Sequence, residues 1–197
     1  RRVLPVVRQL RDMPVSVDTR HPAVMRAALD FGASMINDVA ALAAPGALEA
    51  VAKSDCAVCL MHMKGDPATM QQAPRYDDVV SEVSDFLGER VRACAAAGIA
   101  KDRIVVDPGF GFGKTLAHNL ALTRGLPRLA ALGVPVLAGW SRKSSLGKLT
   151  GRTESERLPA SLAMALLSLQ GGARILRVHD VRETRDVVRV WEAMESA

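Results

Sequence analysis

The sequence predicts an α/β fold, a (β/α)₈ barrel in which six of the eight strand–helix units are present. Six short aliphatic runs alternate with longer segments of helical periodicity, which is the pattern of a parallel sheet. Each run also ends in polar residues, and the strand ends of a barrel meet on the face where its active site is built. An open doubly wound sheet would turn its outer strand ends away from a common site. The barrel is therefore favoured.

The predicted strands are short and largely non-alternating, as expected of parallel strands that are buried on both faces. They cover residues 14–19, 34–39, 57–63, 103–109, 135–141 and 174–180. The polar residues at their carboxyl ends are Asp18, Asn37, His62, Asp107, Ser141, Arg177 and His179.

Helical periodicity fills the intervals between the strands. Pro22 suits the first turn of a helix, and Gly32 suits its end. Thr153 and Glu156 have the spacing of a capping box ahead of a leucine-rich helix. The predicted helices cover residues 1–11, 22–32, 77–98, 116–133, 153–169 and 187–194.

The length of 197 residues, of which 49% are hydrophobic, suits one globular domain over residues 1–197. The chain opens inside a predicted helix, so we expect the first two barrel strands to precede it. No apolar run has the roughly 20 residues of a membrane span, and no leader pattern is present, which predicts a cytoplasmic protein without membrane contact. The net charge of +5 is spread along the chain, which argues against nucleic-acid binding.

Neither a cysteine metal site nor a phosphate-binding loop is supported by the sequence. Cys56 and Cys59 are three apart in a predicted strand, so they point to opposite faces and do not ligate one metal; we interpret them as core cysteines. The stretch DPGFGFGKT at 107–115 resembles a phosphate-binding loop. That loop requires glycine where Pro108 stands, and proline has no N–H to donate.

The same stretch suits another ligand. Asp107 ends a strand, the glycines allow close approach of the backbone to a ligand, and Phe112 offers a flat apolar wall. This combination favours a heterocycle with N–H donors. The alternative is that Asp107 caps a turn and Phe112 belongs to the core.

Two further strand ends carry basic residues. Lys143 could bind a phosphate or a carbonyl, whereas Arg142 could be solvated. Arg177 and His179 are two apart and share one face of a strand, which suits a diphosphate. The alternative for this pair is a salt bridge to Asp180 or a helix start. The polar stretch 64–78 follows another strand end and could act as a lid.

Seven segments in order resemble the bacterial dihydropteroate synthase family of pterin-binding enzymes, the folate-pathway target of sulfonamides. They are SVDT, GASMINDV, CLMHMKGDPATMQ, DPGFGFGKT, GWSRKS, SERLPASLAMA and RVHDV. The resemblance implies a homodimeric barrel transferase. It condenses 6-hydroxymethyl-7,8-dihydropterin diphosphate with 4-aminobenzoate through a pterin-methylene cation, after pyrophosphate has left.

The resemblance also implies roles for individual residues. Asp18, Asn37, Asp107 and Lys143 would hold the pterin, and Asp18, Asp107 and Lys143 would be catalytic. Phe112, Lys143 and Ser144 would flank the aminobenzoate, and Arg177 and His179 would hold the diphosphate. The cofactor would be Mg²⁺, whose asparagine ligand in the family lies on a strand before this chain. The alternatives are a corrinoid-dependent methyltransferase domain and a non-catalytic pterin-binding module.

Overall fold

The computed structural model describes residues 3–10, 12–66 and 69–197. Within them six strands alternate with helices in the order that the sequence predicts. Each strand lies inside its predicted segment and is shorter than it. The strands are β1 (Ser16–Asp18), β2 (Met35–Asp38), β3 (Ala57–Met61), β4 (Ile104–Asp107), β5 (Leu137–Ala138) and β6 (Ile175–Leu176).

Most predicted helices are confirmed, although the ends of the first, residues 1, 2 and 11, lie outside the described residues. Two short helices, α3 and α7, were not predicted. The α-helices are α1 (Leu4–Gln9), α2 (Pro22–Asp30), α3 (Ala47–Ala52), α4 (Val79–Ala96), α5 (Leu116–Arg124), α6 (Leu126–Ala130), α7 (Ser144–Thr150), α8 (Leu158–Gln170) and α9 (Val181–Glu195).

Three predicted helix boundaries were wrong, and one of them is the start of the last helix, which begins at Val181 rather than at residue 187. The segment 116–133 is divided at Gly125, where a Cβ would lie 2.5 Å from Cγ1 of Val80, and Pro127 in the first turn of α6 has no N–H for a continuous helix. The capping box of Thr153 and Glu156 forms, but it caps a 3₁₀ turn over Glu154–Glu156. Helix α8 begins after that turn, at Leu158.

The chain forms two compact units, and the first comprises Arg1–His62 and Val83–Asp107. Its strands form a parallel sheet in the order β1-β2-β3-β4. Ser16 pairs with Met35, and Ala57 pairs with the same residue from the other side. The core is aliphatic and includes Ile36, Val58, Leu60, Ile104 and Val106, all fully buried.

The second unit comprises Met63–Glu82 and Pro108–Ala197. Its strands β5 and β6 form a parallel pair, in which Leu137 is opposite Ile175. Helices α8 and α9 pack against each other, and α7 contacts α5 and α8. The core includes Phe110, Leu122, Leu126, Leu129, Trp140 and Leu146.

Cys56 and Cys59 are buried in the core, as the sequence predicts, and Cys94 is also a buried thiol. Over residues 3–10, 12–66 and 69–197, no helix combines the length and the apolar character needed to cross a bilayer.

Candidate active site

Three polar residues predicted to bind a heterocycle lie on one face of the first unit's sheet. In the parallel register, Asp18 of β1 pairs with Asn37 of β2, and Asn37 pairs with Cys59 of β3. Cys59 in turn pairs with Val105 of β4. Asp107 is two residues beyond Val105 and therefore projects from the same face. The structure thus brings Asp18, Asn37 and Asp107 together at the carboxyl end of this sheet.

A hydrogen bond joins two of these residues. Nδ2 of Asn37 donates to Oδ2 of Asp18 over 2.8 Å. This bond turns the amide oxygen of Asn37 away from Asp18, where it can accept from a ligand. Asn37 and Asp107 are 8% and 7% exposed, whereas Asp18 is exposed. Carboxylate and amide oxygens are acceptors, and they suit the ring N–H and amino donors of a heterocycle.

Asp38 neighbours Asn37 but has a structural role that the sequence did not reveal. Its carboxylate is fully buried and accepts from the backbone N–H groups of Ala40 and Leu42, each over 2.8 Å. Ala41 and Leu42 adopt the left-handed conformation, with φ of 52° and 56°. Burial raises the pKa of Asp38, against the lowering effect of the two hydrogen bonds. Asp38 therefore holds the turn that follows β2.

The glycine loop, residues 109–113, turns through three left-handed glycines, as the sequence predicts. Gly109, Gly111 and Gly113 have φ of 68°, 80° and 63°, values that only glycine adopts readily. The lysine that follows is not available to a phosphate. Lys114 is 3% exposed, and its Nζ donates to the carbonyl oxygens of Gly109 and Phe112, each over 3.0 Å. The loop is therefore not a nucleotide site.

The residues predicted for the second substrate lie beside this loop. Nζ of Lys143 is 4.6 Å from the centre of the Phe112 ring and donates to the carbonyl oxygen of Phe110. A lysine over an aromatic face is a favourable cation–π contact. Phe112 is half-buried, so the alternative of a core phenylalanine does not hold. Ser144 is exposed and is the first residue of α7.

The predicted anion residues follow β6 rather than forming part of it. Arg177 and His179 are both exposed, and the strand ends before them, at Leu176. The Oγ of Ser141 accepts from the backbone N–H of His179 over 3.2 Å and lies 2.9 Å from its Nδ1. When the hydroxyl donates to Nδ1, the proton of a neutral ring lies on Nε2. His179 then presents a donor, as an anion requires.

Arg142 is not simply solvated, which corrects one interpretation of the sequence. Its guanidinium donates to both carboxylate oxygens of Asp180. Its backbone is held as well: its N–H donates to Oγ of Ser161 over 3.1 Å, and its carbonyl accepts from Nη1 of Arg157 over 2.9 Å. Asp180 therefore pairs with Arg142, not with the anion residues. The hydrogen bond from Arg142 lowers the pKa of Asp180.

The polar stretch after β3 contacts the glycine loop. Gln71 donates from Nε2 to the carbonyl oxygen of Gly111, and Tyr76 donates from Oη to that of Gly113 over 2.9 Å. Nζ of Lys64 donates to Glu82 over 3.0 Å and lowers the pKa of that carboxyl. Residues 67 and 68 of this stretch lie outside the described residues. Its predicted role as a lid stays a prediction.

The chain is similar to pterin-binding enzymes both in a family profile and in individual relatives. The profile of a family described as pterin binding enzyme matches residues 1–179. The dihydropteroate synthase of Escherichia coli K12 is 49% identical over 199 aligned residues, which include the whole of this chain and 71% of that protein. The chain belongs to the dihydropteroate synthase family of pterin-binding enzymes.

Solved structures of this family also resemble the chain over its full length. A Yersinia pestis dihydropteroate synthase in complex with a sulfonamide drug is 45% identical, with a TM-score of 0.95, and is covered to 72%. The Xanthomonas albilineans enzyme in complex with 7,8-dihydropteroate is 54% identical, with a TM-score of 0.93, and is covered to 75%. This likeness confirms the predicted fold class, the (β/α)₈ barrel, with six strand–helix units described here.

The dihydropteroate synthase resemblance also implies a magnesium ion. Among residues 3–10, 12–66 and 69–197 no three His, Cys, Asp or Glu side chains are grouped so that they could hold a metal. Divalent magnesium prefers oxygen ligands and commonly takes them from a substrate phosphate as well as from carboxylates.

Proposed function

We infer that this chain carries out the dihydropteroate synthase reaction. It condenses 6-hydroxymethyl-7,8-dihydropterin diphosphate with 4-aminobenzoate, and it releases 7,8-dihydropteroate and pyrophosphate. The observation that carries this inference is the placement of Asp18, Asn37 and Asp107 on one face of one sheet, in a chain 49% identical to a curated synthase.

The pterin is the ligand that we assign to these three residues. A pterin ring carries an amino group and ring N–H groups, which match carboxylate and amide acceptors. Asp18 and Asp107 have a second role as negative charges near a developing cation. Preorganised charge of this kind stabilises a transition state without reorganisation of solvent. We also assign Lys143 to the pterin, so that Asp18, Asp107 and Lys143 are the proposed catalytic residues.

The proposed reaction is a dissociative substitution. The bond between the pterin methylene carbon and the diphosphate oxygen breaks first, and the bonding electrons leave with pyrophosphate. The aniline nitrogen of 4-aminobenzoate then forms the new C–N bond with the methylene cation and releases one proton. An aniline is neutral at pH 7, so its lone pair is available and no strong general base is needed.

The second substrate is assigned to Phe112, Lys143 and Ser144. The ring of Phe112 offers a flat surface to the benzoate ring. Lys143 lies at that surface, 4.6 Å from the ring centre, and its charge suits a carboxylate. Ser144 offers an exposed hydroxyl next to it.

The diphosphate is assigned to Arg177 and His179. Both side chains are exposed, and charge-assisted hydrogen bonds from such groups to phosphate are stronger than neutral ones. We further propose that Mg²⁺ accompanies the diphosphate, with ligands that include phosphate oxygens.

The proposal also covers the domain organisation, the localisation, the oligomeric state and the partners. Residues 1–197 belong to one pterin-binding domain, since a single family profile spans 1–179. The protein works in the cytoplasm as a homodimer. Its partners are small molecules rather than nucleic acid or membrane.

Two turnover assays on the complete natural protein test this function against its alternatives. Labelled 4-aminobenzoate with the pterin diphosphate should yield labelled dihydropteroate. Methyltetrahydrofolate with a corrinoid acceptor should yield no methyl transfer. Transfer of methyl without dihydropteroate would favour the methyltransferase domain, and calorimetric pterin binding without either turnover would favour a binding module.

A further inference from the structure

Every carbonyl oxygen of the glycine loop accepts a hydrogen bond from a side chain. Nζ of Lys114 binds the first and fourth carbonyls, and Nζ of Lys143 binds the second. Gln71 binds the third, on Gly111, and Tyr76 binds the fifth, on Gly113. Five consecutive carbonyls held in this way leave the loop little freedom. Two of the donors, Gln71 and Tyr76, come from the stretch after β3.

That stretch, residues 64–66 and 69–76, forms a strap beside the loop. Its first residue lies against the loop: a Cβ on Gly113 would come within 2.1 Å of the carbonyl oxygen of Lys64. The Lys64 side chain is fixed in turn, because its Nζ donates to the carbonyl oxygen of Arg75 over 2.6 Å and to Glu82 over 3.0 Å. The strap therefore touches the loop by backbone packing as well as by hydrogen bonds.

Tyr76 is well placed to hold the strap and the loop together. Its ring lies under Nζ of Lys64 at 4.2 Å and makes an edge contact with His118 at 4.9 Å. These contacts orient the ring so that Oη reaches the carbonyl oxygen of Gly113 over 2.9 Å. Burial raises the pKa of Tyr76 to about 12, so the phenol keeps its proton and donates throughout the physiological range.

The consequence concerns Phe112, whose peptide neighbours are Gly111 and Gly113. Because the strap holds the carbonyls on both sides, it sets where the Phe112 ring lies. Lys143 depends on the same loop, since its Nζ binds Phe110 and lies over Phe112. Both are residues that we assigned to 4-aminobenzoate.

We propose that Gln71 and Tyr76 are positioning residues for the second substrate, which act by fixing the glycine loop under Phe112 and Lys143. This inference rests on the proposed function. It predicts a larger effect on 4-aminobenzoate than on the pterin diphosphate. Both Phe112 and Lys143 depend on the loop, whereas Asp18 and Asn37, assigned to the pterin, belong to the sheet of the first unit and keep their register.

The test uses Tyr76→Phe in the complete natural protein, since this change removes Oη and keeps the ring contacts with Lys64 and His118. Loss of one hydrogen bond is worth about 1 kcal/mol, or roughly fivefold. The KM for 4-aminobenzoate should rise by roughly fivefold, and the KM for the pterin diphosphate should rise by clearly less, because Lys143 is its one assigned residue that binds the loop. Gln71→Ala should act in the same direction, and the double variant should exceed either one.

Ser168→Ala is the matched control. It also removes a hydroxyl that donates to a backbone carbonyl, that of Met164 over 2.7 Å, within α8. Its two KM values should match those of the wild type. An unchanged KM for 4-aminobenzoate in Tyr76→Phe, or an equal rise in both KM values, overturns the proposal, because an equal rise indicates a structural role.

Hydrogen–deuterium exchange provides a readout that needs no turnover. The N–H of Gly111 donates to Asn119 over 2.9 Å, and the N–H of Phe112 donates to Gly109 over 3.1 Å. Both amides should exchange faster in Tyr76→Phe and at the wild-type rate in Ser168→Ala. Unchanged exchange in Tyr76→Phe overturns the role of the strap. A wild type that makes no dihydropteroate would instead contradict the proposed function, and the exchange result would still decide the strap.

Discussion

Arg142 and Asp180 form a bidentate ion pair, in which Nε of Arg142 donates to Oδ2 of Asp180 over 3.1 Å and Nη2 donates to Oδ1. The pair joins the residue before Lys143 to the residue after His179. The backbone of Arg142 has φ of 57°, a left-handed conformation that costs a non-glycine residue about 1 kcal/mol. The ion pair and the bonds from Ser161 and Arg157 hold it there. The pair therefore ties the two proposed anion-binding strand ends together.

Asp180→Asn should impair catalysis, although no substrate contact is assigned to Asp180. The change removes the charge that holds Arg142, so Lys143 and His179 both lose a fixed neighbour. A displacement of about 1 Å costs up to about a hundredfold in rate, and we expect kcat/KM for the pterin diphosphate to fall at least about tenfold. Steady-state kinetics measure this. Asp186→Asn is the control, because Asp186 forms an exposed pair with Arg189 at 3.4 Å, and such pairs contribute little.

The same pair predicts a pH dependence of stability. Arg142 lowers the pKa of Asp180 from its ordinary value of 3.8. A group with a lowered folded-state pKa stabilises the protein fully above its ordinary pKa, and this contribution is lost as the pH falls through the lowered value. Wild type should therefore be more stable than Asp180→Asn above about pH 4, and the difference should shrink at lower pH. Equal stability at pH 7 would contradict the pairing.

Gly113→Ala should destabilise the protein strongly. The new Cβ would lie 2.1 Å from the carbonyl oxygen of Lys64, at a φ of 63°. Left-handed strain and overpacking each cost about 1–3 kcal/mol, so the free energy of unfolding should fall by about 3 kcal/mol in denaturant titrations. Gly151→Ala separates the two causes, since its φ is 71° and nothing lies within 4 Å of its Cβ position. A loss of equal size in both variants would rule out the close approach of Lys64.

Lys114→Met tests the structural role of the lysine in the near-match to a phosphate loop. The change leaves the carbonyls of Gly109 and Phe112 without their shared donor. Hydrogen bonds from charged groups contribute about 1.5–3 kcal/mol, and we expect the melting temperature and the free energy of unfolding to fall accordingly. ATP should bind neither protein in calorimetry. If Lys114→Met kept the wild-type stability but lost an ATP binding that the wild type shows, the loop would be a nucleotide site.

Arg177→Ala should weaken binding of the diphosphate part of the first substrate and leave binding of its pterin part unchanged. Loss of charge-assisted bonds to the diphosphate should weaken binding of the pterin diphosphate by roughly tenfold or more. Binding of a pterin without the diphosphate should be unchanged, because Asp18, Asn37 and Asp107 remain in place. Calorimetry with both ligands measures the difference. Equal losses for the two ligands would contradict the anion role.

The sequence predicted the sheet well because its strands are short aliphatic runs with polar ends. The face shared by Asp18 and Asn37 then follows from the parallel register, which aligns them directly. Helix α3 was missed because it is short and has no side-chain cap, and α7 was missed because it follows Lys143 without a capping side chain and contains Gly147.

Partners that lie far apart along the chain could not be predicted from periodicity. Arg142 and Asp180 are 38 positions apart, and Gln71 and Gly111 are 40 apart. The near-match to a phosphate loop also did not show where its lysine side chain points. The letters GKT do not reveal that Lys114 folds back onto its own loop. The roles assigned to Asp18, Asn37, Asp107, Phe112, Lys143, Ser144, Arg177 and His179 stay predictions.

The most direct measurement follows both products of the proposed reaction. The complete natural protein is incubated with the pterin diphosphate and labelled 4-aminobenzoate, and labelled dihydropteroate and pyrophosphate are quantified. We predict equal amounts of the two, and a loss of about a hundredfold in kcat/KM for Asp107→Asn. Absence of labelled dihydropteroate from the wild-type reaction, or an unimpaired Asp107→Asn, would contradict the account.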